Sequence, residues 1–161
     1  MKVKFIIDED FVNYKDISMF IGFPKCTFKC DKECGQQICQ NSDLVNTPDI
    51  EILPEEIVAR YLNNPLSKAI VIGGLEPFDS HIELCGLITW FRKATNDPII
   101  IYTGYTEEEL TEEPGGPGPL VYLRNKNIII KFGRFIPNQS SHYDEILGIN
   151  LASDNQYAKK I

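Results

Sequence analysis

Three short runs, residues 69–72, 99–102 and 128–132, are almost unbroken Ile and Val without polar alternation. A strand with one wet face alternates apolar and polar residues, so these runs predict strands covered on both faces, as in a parallel sheet. Parallel neighbours need crossover connections, and helical patterns stand between the runs. Residues 54–62 place proline at a first helical position, Glu55 and Glu56 in the first turn, and apolar Ile57, Val58, Tyr61 and Leu62 along one side. Leu84, Leu87, Ile88 and Phe91 keep helical spacing, predicting a second amphipathic helix over 80–94 with Ser80 as its N-cap. A short acidic helix is expected over 106–110, and β-rich runs at 3–7 and 17–23 precede all of these. The stretch 113–119, with three prolines and three glycines, is expected to be an irregular loop. The order of elements predicts an α/β fold, and 161 residues predict one domain over 1–161.

Sixteen Lys and Arg against 23 Asp and Glu give a net charge of −7, which opposes a broad hold on nucleic acid or an anionic membrane. No apolar run approaches the roughly 18 residues of a spanning helix. The opening turns acidic by Asp8, too early for a signal peptide, so a cytoplasmic protein is expected.

Cys26, Cys30, Cys34 and Cys39 fall within 14 residues, in a loop over 24–41 directly after the predicted strand 17–23. Four thiols this close together cannot staple a domain, and they point to a soft metal centre. Two readings compete: zinc held by all four, or an iron–sulfur cluster. Zinc sites usually add a second distant pair, and downstream there is only Cys85 with lone His81 and His142. Cys85 lies beside the apolar stripe of the second predicted helix and reads as a small buried hydrophobe.

Cys26-x3-Cys30 at the end of an early strand resembles the start of the radical S-adenosylmethionine (SAM) motif, C-x3-C-x2-C. Gly73-Gly74-Leu75-Glu76-Pro77 resembles that superfamily's Gly-Gly-Glu-Pro motif with one residue inserted. Tyr102-Thr103-Gly104-Tyr105-Thr106, Phe132-Gly133-Arg134-Phe135 and Ser153-Asp154-Asn155-Gln156 resemble, in order, segments of the small activating proteins of anaerobic ribonucleoside-triphosphate reductase. The resemblance implies a partial (β/α) barrel-like parallel sheet with flanking helices and a Cys-rich cluster loop. It also implies a [4Fe–4S] cluster on three cysteines, one iron of which chelates SAM. Cys26 and Cys30 would be two of the ligands. The third would fall at position 33, which here is Glu33, so Cys34 and Cys39 compete for the place. The superfamily's apolar adenine-contacting residue matches Ile38 before Cys39, and Cys39-Gln40-Asn41 matches the family's ending, which together favour Cys39.

The same resemblance gives Gly73, Gly74 and Glu76 contacts to the SAM methionine moiety, with Glu76 accepting its ammonium. Thr103 and Gly104, at the next strand end, would touch SAM or substrate. Asn155 and Gln156 would hydrogen-bond ribose, adenine or methionine groups. The implied activity is reductive cleavage of SAM to place a glycyl radical on the large subunit of anaerobic ribonucleotide reductase, with reduced flavodoxin or ferredoxin as donor. Phe23, Phe28 and Phe135 are candidates for an apolar docking face. The alternatives are a non-enzymatic zinc or iron–sulfur module that binds a partner or passes electrons, and a radical SAM enzyme with another target.

Overall fold

The computed structural model describes residues 1–113 and 116–161. Its core is one six-stranded sheet whose spatial order follows the chain: β1 (Phe5–Asp10), β2 (Ser18–Phe23), β3 (Ala69–Gly74), β4 (Ile99–Tyr102), β5 (Ile128–Phe132) and β6 (Tyr157–Lys160). The four middle strands run parallel, and β1 and β6 pair antiparallel at the two edges. The helices are α1 (Lys29–Cys34), α2 (Pro54–Leu62), α3 (His81–Ala94), α4 (Glu107–Thr111) and α5 (Pro119–Leu123).

Alternation along the Ile/Val strands divides the interior in two. Ile70, Ile72, Ile99, Ile101, Ile128 and Ile130 face the side covered by α2, α3 and α5, where Ile57, Leu84, Leu87, Phe91 and Leu123 are fully buried. Each such side chain contributes about 1.5–3 kcal/mol by leaving water. Val71, Ile100 and Ile129 face the other side, which is covered by Tyr14, Leu147 and Leu151. There a hairpin pairing His142–Asp144 with Ile149–Leu151 does the covering, so the sheet is buried on both faces with helices on only one. This is the expected α/β fold, as a mixed sheet with antiparallel edges, and beyond the hairpin the second face borders a cleft at the strand ends.

Several sequence readings change. The first strand breaks at Lys4 and resumes as Phe5–Asp10, because an edge strand with a wet face tolerates the acids that ended the predicted run. Leu62, counted in the apolar face of α2, is 53% exposed at the helix end. Ser80 precedes α3 without capping it by its side chain. Residues Pro77–Ser80 already form a 3-10 turn, capped by Glu76 accepting from the Phe78 amide at 3.1 Å, and the buried Ser80 hydroxyl has no hydrogen-bond partner among the described residues. Within the expected loop, Glu112–Glu113 pairs with Gly116–Pro117, and Pro119 opens α5; Pro114 and Gly115 lie outside the described residues.

Gly74 has a positive φ of 84°, and a Cβ there would stand 3.0 Å from the Gly22 Cα, so both torsion and contact demand glycine. Gly86 sits inside α3 with open space around it. Chemical denaturation should therefore show Gly74→Ala destabilising by about 1–3 kcal/mol, and Gly86→Ala stabilising by about 0.5–1 kcal/mol.

Candidate metal centre

The parallel strands end on the same side, and the segments leaving them carry the site. Beyond β2 the chain enters the cysteine loop. Phe28 adopts a left-handed φ of 53°, an uncommon conformation for a bulky residue, and its amide donates to Cys26 Sγ at 3.2 Å. α1 then carries Cys30 and Cys34, and Gly35, at φ 66°, turns the chain back. Asp31 fixes the return: its Oδ1 accepts from the Ile38 amide at 2.8 Å and from the Cys39 amide at 2.9 Å. Cys39 is thereby folded back onto the cleft that Cys30 also borders.

Cys26, Cys30 and Cys39 are half-buried and border one cleft of about 560 Å³, whereas Cys34 is exposed and does not border it. Burial, with help from Glu76 and Asp79, pushes the Cys26 thiol up to about 11. Burial and then Cys39 do the same to Cys30. Loading such thiols with metal releases their protons. Among the described residues no three His, Cys, Asp or Glu side chains converge tightly enough for a single ion. The donor set suits a larger group: three thiols round one cavity, one of them already accepting a backbone N–H, are what a multi-iron cluster uses. Cys85 is half-buried in α3 against the helix-side core, away from this cleft.

β3 and β4 are tied together at their ends by Glu76. Its Oε1 accepts from the Thr103 hydroxyl at 2.8 Å and from the Phe78 amide, and its Oε2 accepts from the Gly104 amide at 2.9 Å. Burial pushes this carboxyl up to about 7 against the pull of those three donors. Glu76 is 8% exposed and borders the cleft, so it is a buried tie and not a solvated side chain. Asp79 extends the tie to the cysteine loop, accepting from the Thr27 amide and the Tyr105 hydroxyl, both at 2.6 Å. Asn41 donates to the Gly74 carbonyl at 2.9 Å and holds the loop's far end.

The remaining sequence candidates divide. Gly74, Thr103, Gly104 and Gln156 border the cleft. Gly73 is buried just beneath it, against Phe20 and Tyr102. Ile38 is half-buried outside the cleft lining, and Asn155 is exposed, spending its amide on the Arg134 carbonyl at 2.8 Å. Phe23 is fully buried on the helix side, which removes it from any docking face; Phe28 and Phe135 are half-buried, and Phe135 borders the cleft.

Sequence reasoning missed Asp31, Lys131, Glu109 and the role of Arg134. Arg134 lies within the quoted Phe-Gly-Arg-Phe segment. Its Nη2 donates to Glu109 at 2.7 Å, and its Nε lies 3.2 Å from Glu33, an ion-pair distance off the line of a hydrogen bond. These contacts, with Lys29 3.3 Å from Glu109, lash α1 to α4 and to the end of β5. The hydrogen bond from Arg134 holds the Glu109 carboxyl down to about 2.

Two expectations follow. Asp31→Ala should strip exchange protection from the Ile38 and Cys39 amides and cost about 1–3 kcal/mol of local stability, while Asp31→Asn, which keeps Oδ1, should lose less; hydrogen exchange reads both. The Glu109 ion pair stabilises fully above the carboxyl's ordinary 4.5 and is lost as pH falls toward 2. Acid titration of stability in Glu109→Gln should therefore lack about 1–2 kcal/mol of the wild-type fall in that window, a figure reduced for screening at a side chain 31% exposed.

Comparison with curated proteins and with solved structures returns no match. A family model described as a 4Fe-4S single cluster domain matches residues 16–156, which span the cysteine loop, every parallel strand and the Gln156 turn. With that match over most of its length, the chain belongs to the 4Fe-4S single cluster domain family.

Proposed function

We propose that this iron–sulfur protein is a radical SAM activase that places a glycyl radical on a large partner, the reading nearest to anaerobic ribonucleotide reductase. The observation that carries it is the single cleft on which three half-buried thiols meet the Gly74-to-Glu76 strand end. An electron-transfer domain needs thiols but no roomy cleft beside them. Cys26, Cys30 and Cys39 are the proposed cluster ligands, with Cys34 outside the set. Held by these three thiolates and reduced by an external one-electron donor, the cluster would supply the one-electron reduction that cleaves SAM, the chemistry from which hydrogen abstraction at the target would follow.

The chain's own residues supply position. The volume of about 560 Å³ is within the range of small-molecule sites. Glu76 spends three of its roughly four acceptor positions on the strand ends, so one is left for an ammonium. Gln156 is held by its Oε1 accepting from the Ala152 and Ser153 amides, and its Nε2 donates to the Gly133 carbonyl at 3.2 Å, which fixes the cleft wall. The Tyr102 hydroxyl donates to the Asn13 carbonyl at 2.6 Å and pins the β1–β2 loop over the cavity. Half-buried Phe135 at the rim gives a partner loop an apolar contact.

After anaerobic reconstitution, the reduced protein should convert SAM to 5′-deoxyadenosine, measured by chromatography. An intact cluster that yields none under strong reductant would return the protein to the electron-transfer reading. Glu76→Gln should slow this conversion by tenfold or more, since it alters both the strand-end tie and the acceptor. With the anaerobic reductase from the same cell, electron paramagnetic resonance should show a doublet that changes on α-deuteration of glycine. SAM cleavage without any such signal would move the target to another molecule.

A further inference from the structure

The stretch that carries the four thiols has no core of its own. From Pro24 to Ile52 no residue is buried, and neither α1 nor the 3-10 turn Ser42–Asn46 places a side chain in the interior. Apolar burial, which fixes the strands and α2, therefore does not fix where Cys39 stands, and polar ties must do so. Asp31 and Asn41 act before the 3-10 turn, and Ile50–Glu51 rejoins the fold by pairing with Lys2–Val3. The segment between needs its own anchor.

Lys4 supplies it. Its side chain is 5% exposed, and its Nζ donates to the Thr47 carbonyl at 2.6 Å and the Val45 carbonyl at 3.2 Å and stands 2.8 Å from Asp49 Oδ1. All three ammonium donors are thus used, and a carboxylate offsets a charge that would be costly to bury alone. The Lys4 amide also donates to the Gly22 carbonyl at 2.7 Å, just before the loop leaves β2 at Phe23. One residue thereby holds the departure of the loop with its backbone and the return with its side chain. From its acceptors back to the thiol the chain is a run of tight turns. The Thr47 amide donates to the Leu44 carbonyl at 3.1 Å, the Leu44 amide to the Asn41 carbonyl at 3.0 Å, and the Ser42 amide to the Cys39 carbonyl at 3.4 Å. Leu44, Asn41 and Cys39 all border the cleft.

We propose that Lys4 is a positioning residue for the cluster: by clasping Val45, Thr47 and Asp49 it keeps Cys39 on the cleft that Cys26 and Cys30 share. The role rests on the iron–sulfur reading and not on the activase one, and none of its readouts uses SAM, so the two fail separately.

The test compares Lys4→Met with wild type, first without metal and then after anaerobic reconstitution. Without metal, hydrogen exchange at the Leu44 and Thr47 amides should quicken about tenfold, while the Ile70 and Ile99 amides of the core keep their protection. With the cluster in place, iron should pass to a chelator about tenfold faster, and the low-temperature resonance of the reduced cluster should broaden as Cys39 loses its single position. Lys2 is the control, because it lies on the same short strand and its ion pair with Glu51, at 3.6 Å, is exposed on both sides; Lys2→Met should match wild type in all three. Any one of the three readouts left unchanged in Lys4→Met would overturn the proposal, since faster exchange alone would make the clasp merely structural. An equal effect in Lys2→Met would also overturn it, by assigning the loss to the strand pairing. Should Lys4→Met not fold, Asp49→Ala removes one of the three acceptors and should move the same readouts in the same direction by about threefold; no change there would overturn the proposal.

Discussion

One buried carboxylate holds the site together. Glu76 sits where β3 ends and binds the end of β4 through Thr103 and Gly104, while its own amide donates to the Lys25 carbonyl at 2.8 Å just ahead of Cys26. Three residues on, Asp79 ties the same turn to Thr27 and to Tyr105. The cysteine loop, the β3 turn and the β4 turn are therefore one hydrogen-bonded unit. An acid buried this deeply is tolerable because each oxygen is satisfied, and the same satisfaction makes the arrangement hard to loosen piecemeal.

A second layer of charge lies around that unit. The chain is acidic overall, at −7, yet Lys29, Lys131 and Arg134 border the cleft or its recess. Arg134 and Lys29 meet Glu109, and their network closes α1 over the strand ends; Lys131 borders the cleft and donates to the Gly133 carbonyl. Local cations inside an acidic protein concentrate anions at one place while the outer surface repels them elsewhere.

The parallel core was legible because burial on both faces leaves a plain mark: the runs that became β4 and β5 match their strands to the residue, and α2 matches as well. Edges were less legible. β1 carries Asp8, Glu9 and Asp10 on a strand paired with β2 alone, and Phe23 stood as a candidate for the docking face because nothing local says which side of β2 faces α2 and α3. At the site, the thiols were visible by spacing, but the distinction between Cys34 and Cys39 depends on a side chain that folds the loop back. Asp31 does that across seven and eight residues, a separation without a periodic signature. Lys131 did leave a sign, a lone charge in an apolar strand, and its meaning needed the fold to show that its face borders a cavity rather than solvent.

Iron content after anaerobic reconstitution of Cys34→Ala beside Cys39→Ala decides which three thiols hold the cluster. Cys34 is exposed and off the cleft, so Cys34→Ala should retain the full iron complement and the low-temperature resonance of a reduced [4Fe–4S] cluster, while Cys39→Ala loses both. Loss of the cluster in Cys34→Ala with retention in Cys39→Ala would contradict it.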